Sequence, residues 1–208
     1  TDLDSLLPGY AWLGKGREDG KQAGEYCPLF YREDRFRLLG QGQFWLSETS
    51  KIPGKGWDAA CPRIVTWGRF RDTGSGKEFY VFNTHFDHKG DTARLEGASL
   101  LKERIASVAG EMPVVVTGDF NSVPGSAPIL ELIQGAAGSG LRDAYTESVA
   151  PPHGPEGTWS GFRVAGEPDR RIDYIFLLGD SEAEWYATLS DSWSGKFPSD
   201  HLPVMAGI

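Results

Sequence analysis

Apolar positions along this chain recur with two periods, and the change between them divides the chain into elements. Short runs rich in Val, Ile, Phe, Tyr and Trp occupy residues 24–31, 36–47, 63–71, 78–86, 114–118, 172–178 and 203–208. Runs of this length, bounded by Gly, Pro and Asp, predict strands. Val114-Val115-Val116 and Ile175-Phe176-Leu177-Leu178 are apolar at consecutive positions, as befits strands covered on both faces. After the fourth run the spacing changes to three and four. Leu95, Ala98, Leu101, Ile105 and Val108 then form one stripe of a helix over residues 92–109, with Asp91 as its expected N-cap. A shorter helix is expected over residues 127–133, with Ser126 as N-cap and Pro128 in the tolerant first turn. Residues 1–8 predict a short helix and Tyr10-Ala11-Trp12-Leu13 a strand. Residues 148–166, with Pro151, Pro152 and Pro155, predict a long loop able to offer Trp159 or Phe162 to a ligand. Helices interleaved with strands must cover sheet faces, so the pattern predicts an α/β sandwich.

Composition narrows this picture. With 208 residues, 39% hydrophobic and 12% aromatic, and with no repeat or linker, the chain is expected to form a single domain, 1–208, around one core. Its 29 Asp and Glu against 21 Lys and Arg give a net charge of −8. That balance disfavours a general nucleic-acid coat protein, which must neutralise phosphates. It leaves room for an enzyme on phosphate esters whose metal ions reverse the local field. Cys27 and Cys61 are too few for a disulfide framework or a cysteine-rich zinc site, and they predict buried small hydrophobes. No run approaches the roughly 20 apolar residues that span a bilayer, and the first ten residues show no leader pattern. A soluble monomer, cytoplasmic or secreted after removal of a signal peptide, is the expectation.

The chemistry sits at strand ends. Asn83-Thr84-His85-Phe86-Asp87-His88 follows one apolar run and Gly118-Asp119-Phe120-Asn121 another. Arg171-Ile172-Asp173-Tyr174 opens a third, and Ser199-Asp200-His201-Leu202-Pro203 precedes the last. Each alone could be a turn or cap. Together they offer Asp119, Asp173 and Asp200 as hard oxygen donors, with His85 and His201 as proton carriers or anion binders. Such donors suit Mg2+ or Mn2+ better than Zn2+. Hydrolysis of a phosphate ester needs an activated water, a metal and donors for developing charge, and this set could supply all three.

These four segments, in this order, resemble the endonuclease/exonuclease/phosphatase superfamily, which includes deoxyribonucleases, abasic-site endonucleases, poly(A) deadenylases, inositol polyphosphate phosphatases and neutral sphingomyelinases. The runs Gly24-Glu25-Tyr26, Phe44-Trp45-Leu46-Ser47-Glu48-Thr49 and Trp57-Asp58-Ala59-Ala60-Cys61-Pro62-Arg63 are similar to a bacterial, deoxyribonuclease-like branch of metal-dependent hydrolases. The resemblance implies an α+β fold, a four-layered α/β/β/α sandwich of two packed mixed sheets flanked by helices. It implies that Asp119 orients or deprotonates the attacking water and that Asn121 fixes the scissile phosphate. His201 would contact phosphate or transfer a proton, with Asp173 orienting it. Asp200 would be a metal ligand together with Asp119. His85 would bind phosphate or act as general acid, paired with Glu25, and Arg63 would face a phosphate. The family pattern also implies an amino-terminal strand carrying Asn and another ending in Gln-Glu, neither of which stands before Gly24, so the domain is expected to be incomplete at that end.

Two functions follow. The first is a phosphoesterase using Mg2+ or Mn2+ and direct water attack on a phosphodiester or phosphomonoester, in nucleic acid or in a small molecule. The second is a non-catalytic, phosphate-binding remnant of the same fold.

Overall fold

A computed structural model describes residues 2–135 and 140–208. The elements run α1 (Asp2–Leu6), β1 (Tyr10–Leu13), β2 (Leu29–Arg32), β3 (Phe36–Trp45), β4 (Ile64–Asp72) and β5 (Glu78–His85). They continue with α2 (Asp91–Ala109), β6 (Val114–Asp119), α3 (Ala127–Ile133), β7 (Arg142–Asp143), α4 (Ala144–Glu147), β8 (Asp173–Leu178), β9 (Trp185–Thr188) and β10 (Val204–Gly207). A mixed six-stranded sheet has the order β3-β4-β5-β6-β8-β7, with β5 and β6 parallel across the α2 crossover and the remaining pairs antiparallel. Two antiparallel hairpins, β1-β2 and β9-β10, complete the β structure. Mixed sheets with flanking helices make this the α+β fold that the sequence led us to expect.

Period-two alternation sorts the six-stranded sheet into two faces. Tyr80, Phe82, Val114, Val116, Tyr174 and Phe176 pack with Leu101, Ile105, Ile129 and Leu132 of α2 and α3 in the main core. On the other face Ile175 and Leu177 meet Tyr186 of β9, with Val204 and Ala206 of β10 beside them. Asn83, on this second face, donates to the carbonyl of Pro28 ahead of β2 at 2.9 Å.

Three local expectations are corrected. The strand expected over residues 24–31 starts only at Leu29. Gly24 has φ of +84°, and Pro28 lacks the N–H that a ladder needs. Asp91 is the first residue of α2 rather than its cap. The free N–H groups of that helix are met by Asp58, which accepts from Ala93 at 2.7 Å and from Thr92 at 3.3 Å. Ser126 does occupy the N-cap position of α3, but its hydroxyl makes no capping bond and donates to the Val123 carbonyl. Strand β9 had no forecast, because four residues among acidic neighbours show too little alternation to stand out.

Candidate active site

The alternation that builds the core also builds the site. His85, Asp119 and Asp173 occupy the hairpin-side phase of β5, β6 and β8. The register makes them one row: His85 is partnered with Asp119, and Asp119 with Asp173. Close approach of β5 and β6 at this end requires Gly118, because a Cβ there would lie 2.1 Å from the Thr84 carbonyl oxygen and φ is +150°. Just beyond, Asn121 takes the left-handed conformation, φ +47°, which asparagine tolerates better than most residues. Its backbone N–H donates to Asp119 Oδ1 at 2.8 Å, and its side-chain amide donates to the Phe86 carbonyl at 3.0 Å and to Asp119 Oδ2 at 3.2 Å.

His201 reaches the row from the loop before β10. Its Nδ1 lies 2.8 Å from Asp173 Oδ2, and its Nε2 lies 4.0 Å from Asp119 Oδ2. Thr158 donates to the same Asp173 oxygen at 2.6 Å and accepts from the backbone N–H groups of Ile172 and Asp173. The structure thus brings His85, Asp119, Asn121, Asp173 and His201 together. His85 Nε2 is 3.3 Å from Asp119 Oδ2 and its Nδ1 is 3.8 Å from Glu25 Oε2. Glu25, largely exposed, is gripped by Arg17 at 2.6 Å. Asp200, the candidate metal ligand, is anchored through its backbone carbonyl, which accepts from Ser160 and Gly161, while its carboxylate is approached by Ser199 Oγ at 3.5 Å.

Arg63 sits across a cleft of about 280 Å³ whose walls also include His85, Asp119, Asn121 and His201. Only 4% of Arg63 is exposed. Its Nε donates to Asp87 at 3.3 Å, its Nη2 lies 2.9 Å from His88 Nδ1, and its Nη1 has no partner. Burial would raise the Asp87 carboxyl, but the N–H groups of Gly90, Lys89 and Ala60 and the Arg63 side chain hold it well below the usual carboxylate range.

These contacts set the protonation states. Burial, reinforced by Arg63 and Arg17, lowers His85 to about 3, so its contact with Asp119 joins a neutral imidazole to a carboxyl group and is no ion pair. Burial and the nearby Asp173 carboxylate raise Asp119 to about 6. The hydrogen bond to Asp173 raises His201 against the opposing effect of burial. One carboxyl group that gives up its proton near neutrality thus stands beside an imidazole that holds its own more firmly.

Among the described residues, two groups of side chains have ligand atoms close enough for a metal. In Asp119, Asp173 and His201 these atoms lie within 4.8 Å of one another. Asp173 already serves His201 and Thr158, which leaves Asp119 as the carboxylate short of a counter-charge, and a cation would relieve the burial that raises its pKa. The second group, Cys61, Asp87 and His88, has the same spacing. The Arg63 guanidinium bonds both Asp87 and His88, however, so this corner favours an anion.

Sequence reading missed Thr158 and Arg17. The loop containing Thr158 had been expected to offer Trp159 or Phe162 to a ligand. In the structure Trp159 is committed to packing, stacked under Arg170 at 4.0 Å with Arg163 at 5.6 Å, whereas Phe162 is largely exposed. The only signal for Thr158 was its adjacency to Trp159 in that loop.

Residues 30–201 match the model of the Endonuclease/Exonuclease/phosphatase family. The chain belongs to this family. A mannosyl-6-phosphatase of Bacteroides thetaiotaomicron is 37% identical and superposes with a TM-score of 0.93 over 99% of this chain and 79% of that one. A family member from Bacteroides vulgatus is 38% identical, with a TM-score of 0.91 over 99% and 78% of the two chains. Nocturnin of Drosophila melanogaster is 28% identical over 86% of this chain, which spans only 32% of that protein's length. Relatives of this family act as hydrolases on phosphoester bonds. No helix among the described residues is long and apolar enough to cross a membrane.

Proposed function

We propose that this chain is a phosphoesterase dependent on Mg2+ or Mn2+ that hydrolyses its substrate by direct attack of water on phosphorus. The observation that carries this reading is the placement of Asp119 between His85 and His201 at the floor of a cleft, with a buried arginine opposite. In this reading Asp119, ionised near neutral pH, accepts the proton of the attacking water. Asn121, pinned in its left-handed conformation, keeps its amide bond to the Phe86 carbonyl and turns the N–H it gives Asp119 Oδ2 to a phosphoryl oxygen when substrate binds. Arg63 turns its free Nη1 toward the charge that develops, and neutral His85 donates a hydrogen bond there. His201, kept protonated longer by Asp173, supports the same charge and delivers a proton to the departing oxygen.

A metal would be held by Asp119, with Asp200 as the second carboxylate in this reading, and would supply Lewis-acid stabilisation of the phosphoryl oxygens. Similarity to the Bacteroides mannosyl-6-phosphatase, 37% identity over 99% of this chain, favours a phosphomonoester, the terminal phosphate of a hexose, over a nucleic-acid diester. The test is hydrolysis of mannose 6-phosphate and p-nitrophenyl phosphate against bis-p-nitrophenyl phosphate. Monoester turnover should appear with Mg2+ or Mn2+ and vanish in EDTA. Undiminished turnover in chelator, or none of any ester with either metal, would overturn the reading.

A further inference from the structure

His88 and Asn121 line two cavities. One is the cleft described above, and the other is a larger space of about 660 Å³ between the first turns of α2 and α3, for which the proposed chemistry has no use. A space that shares a wall with a phosphate cleft is placed to receive the group esterified to that phosphate. Its lining includes the hydroxyl-bearing residues Thr92, Ser122 and Ser126, the base Arg170 and the apolar residues Pro128 and Ile172.

Two of these residues hold hydrogen-bonding capacity that the protein itself does not saturate. Ser122 is 5% exposed, and its hydroxyl has no hydrogen-bond partner, although the Tyr174 hydroxyl fixes its backbone carbonyl from behind at 2.9 Å. An orphaned buried hydroxyl costs on the order of 1–3 kcal/mol, which a ligand hydroxyl would relieve. Arg170 is held flat against Trp159 at 4.0 Å, and its nearest carboxylate, Asp169, is 4.0 Å away at the limit of an ion pair. Its donor edge is therefore preorganised and underused.

We propose that this cavity is the leaving-group subsite and that it takes a polyhydroxylated ring, a hexose, with Ser122 and Arg170 as its specificity-determining residues. The assignment rests on the phosphoesterase reading above. A hexose offers several hydroxyls and an aliphatic face, which match these donors and the apolar Pro128 and Ile172. A nucleobase stacks best on a Phe, Tyr or Trp ring, and the cavity lining has none of these, while its one imidazole, His88, is engaged by Arg63 at 2.9 Å.

The test is heteronuclear NMR of the protein in chelator, where turnover is stopped, titrated separately with mannose 6-phosphate, inorganic phosphate and adenosine monophosphate. Inorganic phosphate should move the amides of residues 119 and 201. Mannose 6-phosphate should move these and also residues 122–127 and 170, and should bind about tenfold more tightly than phosphate. Ser122→Ala and Arg170→Gln should each bring the ratio of the two dissociation constants to within about twofold of unity, whereas a purely structural role for either residue would leave that ratio unchanged. Shifts confined to residues 119 and 201, equal affinities in the parent protein, or adenosine monophosphate moving the cavity amides as strongly as the hexose phosphate would overturn the assignment and leave the phosphoesterase reading standing. Hexose phosphate shifts at 122–127 with none at 119 and 201 would keep the hexose site and remove that reading.

Discussion

Arg63 and Arg171 look alike by every local measure. Each is 4% exposed, each pairs with a buried aspartate, and each leaves one nitrogen without a partner. Their surroundings differ. Arg171 bonds Asp143 at 2.7 Å and is wedged between the rings of Tyr145 and Tyr174, 4.6 and 4.5 Å from its guanidinium carbon. Asp143 in turn caps α4 by accepting from Tyr145 at 3.0 Å. Every face of this pair is packed by protein. Arg63 has a longer contact to Asp87, shares its fork with His88, and borders the cleft that holds Asp119 and His201. A buried charge closed in by rings stabilises a corner of the fold, whereas one bordering a cleft is preorganised for a ligand.

The largest effect expected separates site from scaffold outright. Asp119→Asn should lower kcat by about 10²- to 10⁴-fold, the usual worth of a positioned base. The same change should stabilise the protein. The folded pKa of Asp119, about 6, lies above the ordinary 3.8, so this group weakens the fold as pH rises from about 4 to about 6 and the loss persists above. Denaturant unfolding at pH 7.5 should show a gain of about 2 kcal/mol that disappears at pH 4. An equal change at both pH values would contradict the assignment.

Arg171→Ala comes next, with an expected loss of about 3–5 kcal/mol because Asp143 is left buried and unpaired. Turnover per folded molecule should be unchanged, and a fall in it would erase the contrast between the two arginines. Arg63→Met should do the reverse, lowering kcat/KM by about 10²-fold. Its stability cost should stay near 1–2 kcal/mol, since Asp87 keeps its backbone N–H donors. Unfolding curves as damaged as those of Arg171→Ala would make Arg63 scaffold as well.

The smallest effect is a titration. Asp173→Asn should lower the pKa of His201 toward its ordinary 6.5, as followed by the imidazole proton shifts. In the parent protein this raised pKa contributes stability below about 6.5 that is lost as pH rises through the folded value, and the variant should lack that window. An unchanged His201 titration would mean that Asp173 does not orient the imidazole.

Much of the site was legible because strands alternate with period two. His85, Asp119 and Asp173 each lie at the end of an apolar run in the phase opposite the core residues Phe82, Val116 and Tyr174, so their shared face is written in local sequence. The helix stripe was legible for the same reason at Ala98, Leu101 and Ile105, all buried, while Leu95 emerges 37% exposed beside the larger cavity. What local periodicity determined was the identity of the elements and the phase of their side chains, because both follow from backbone geometry within a few residues. What only the tertiary structure decided were the contacts between distant segments. Asp58 meets the start of α2 from 35 residues away, Thr158 reaches Asp173 across 15, and Asp87 takes Arg63 from 24. These depend on strand register and loop return, which the packing of the whole core sets and no local period encodes.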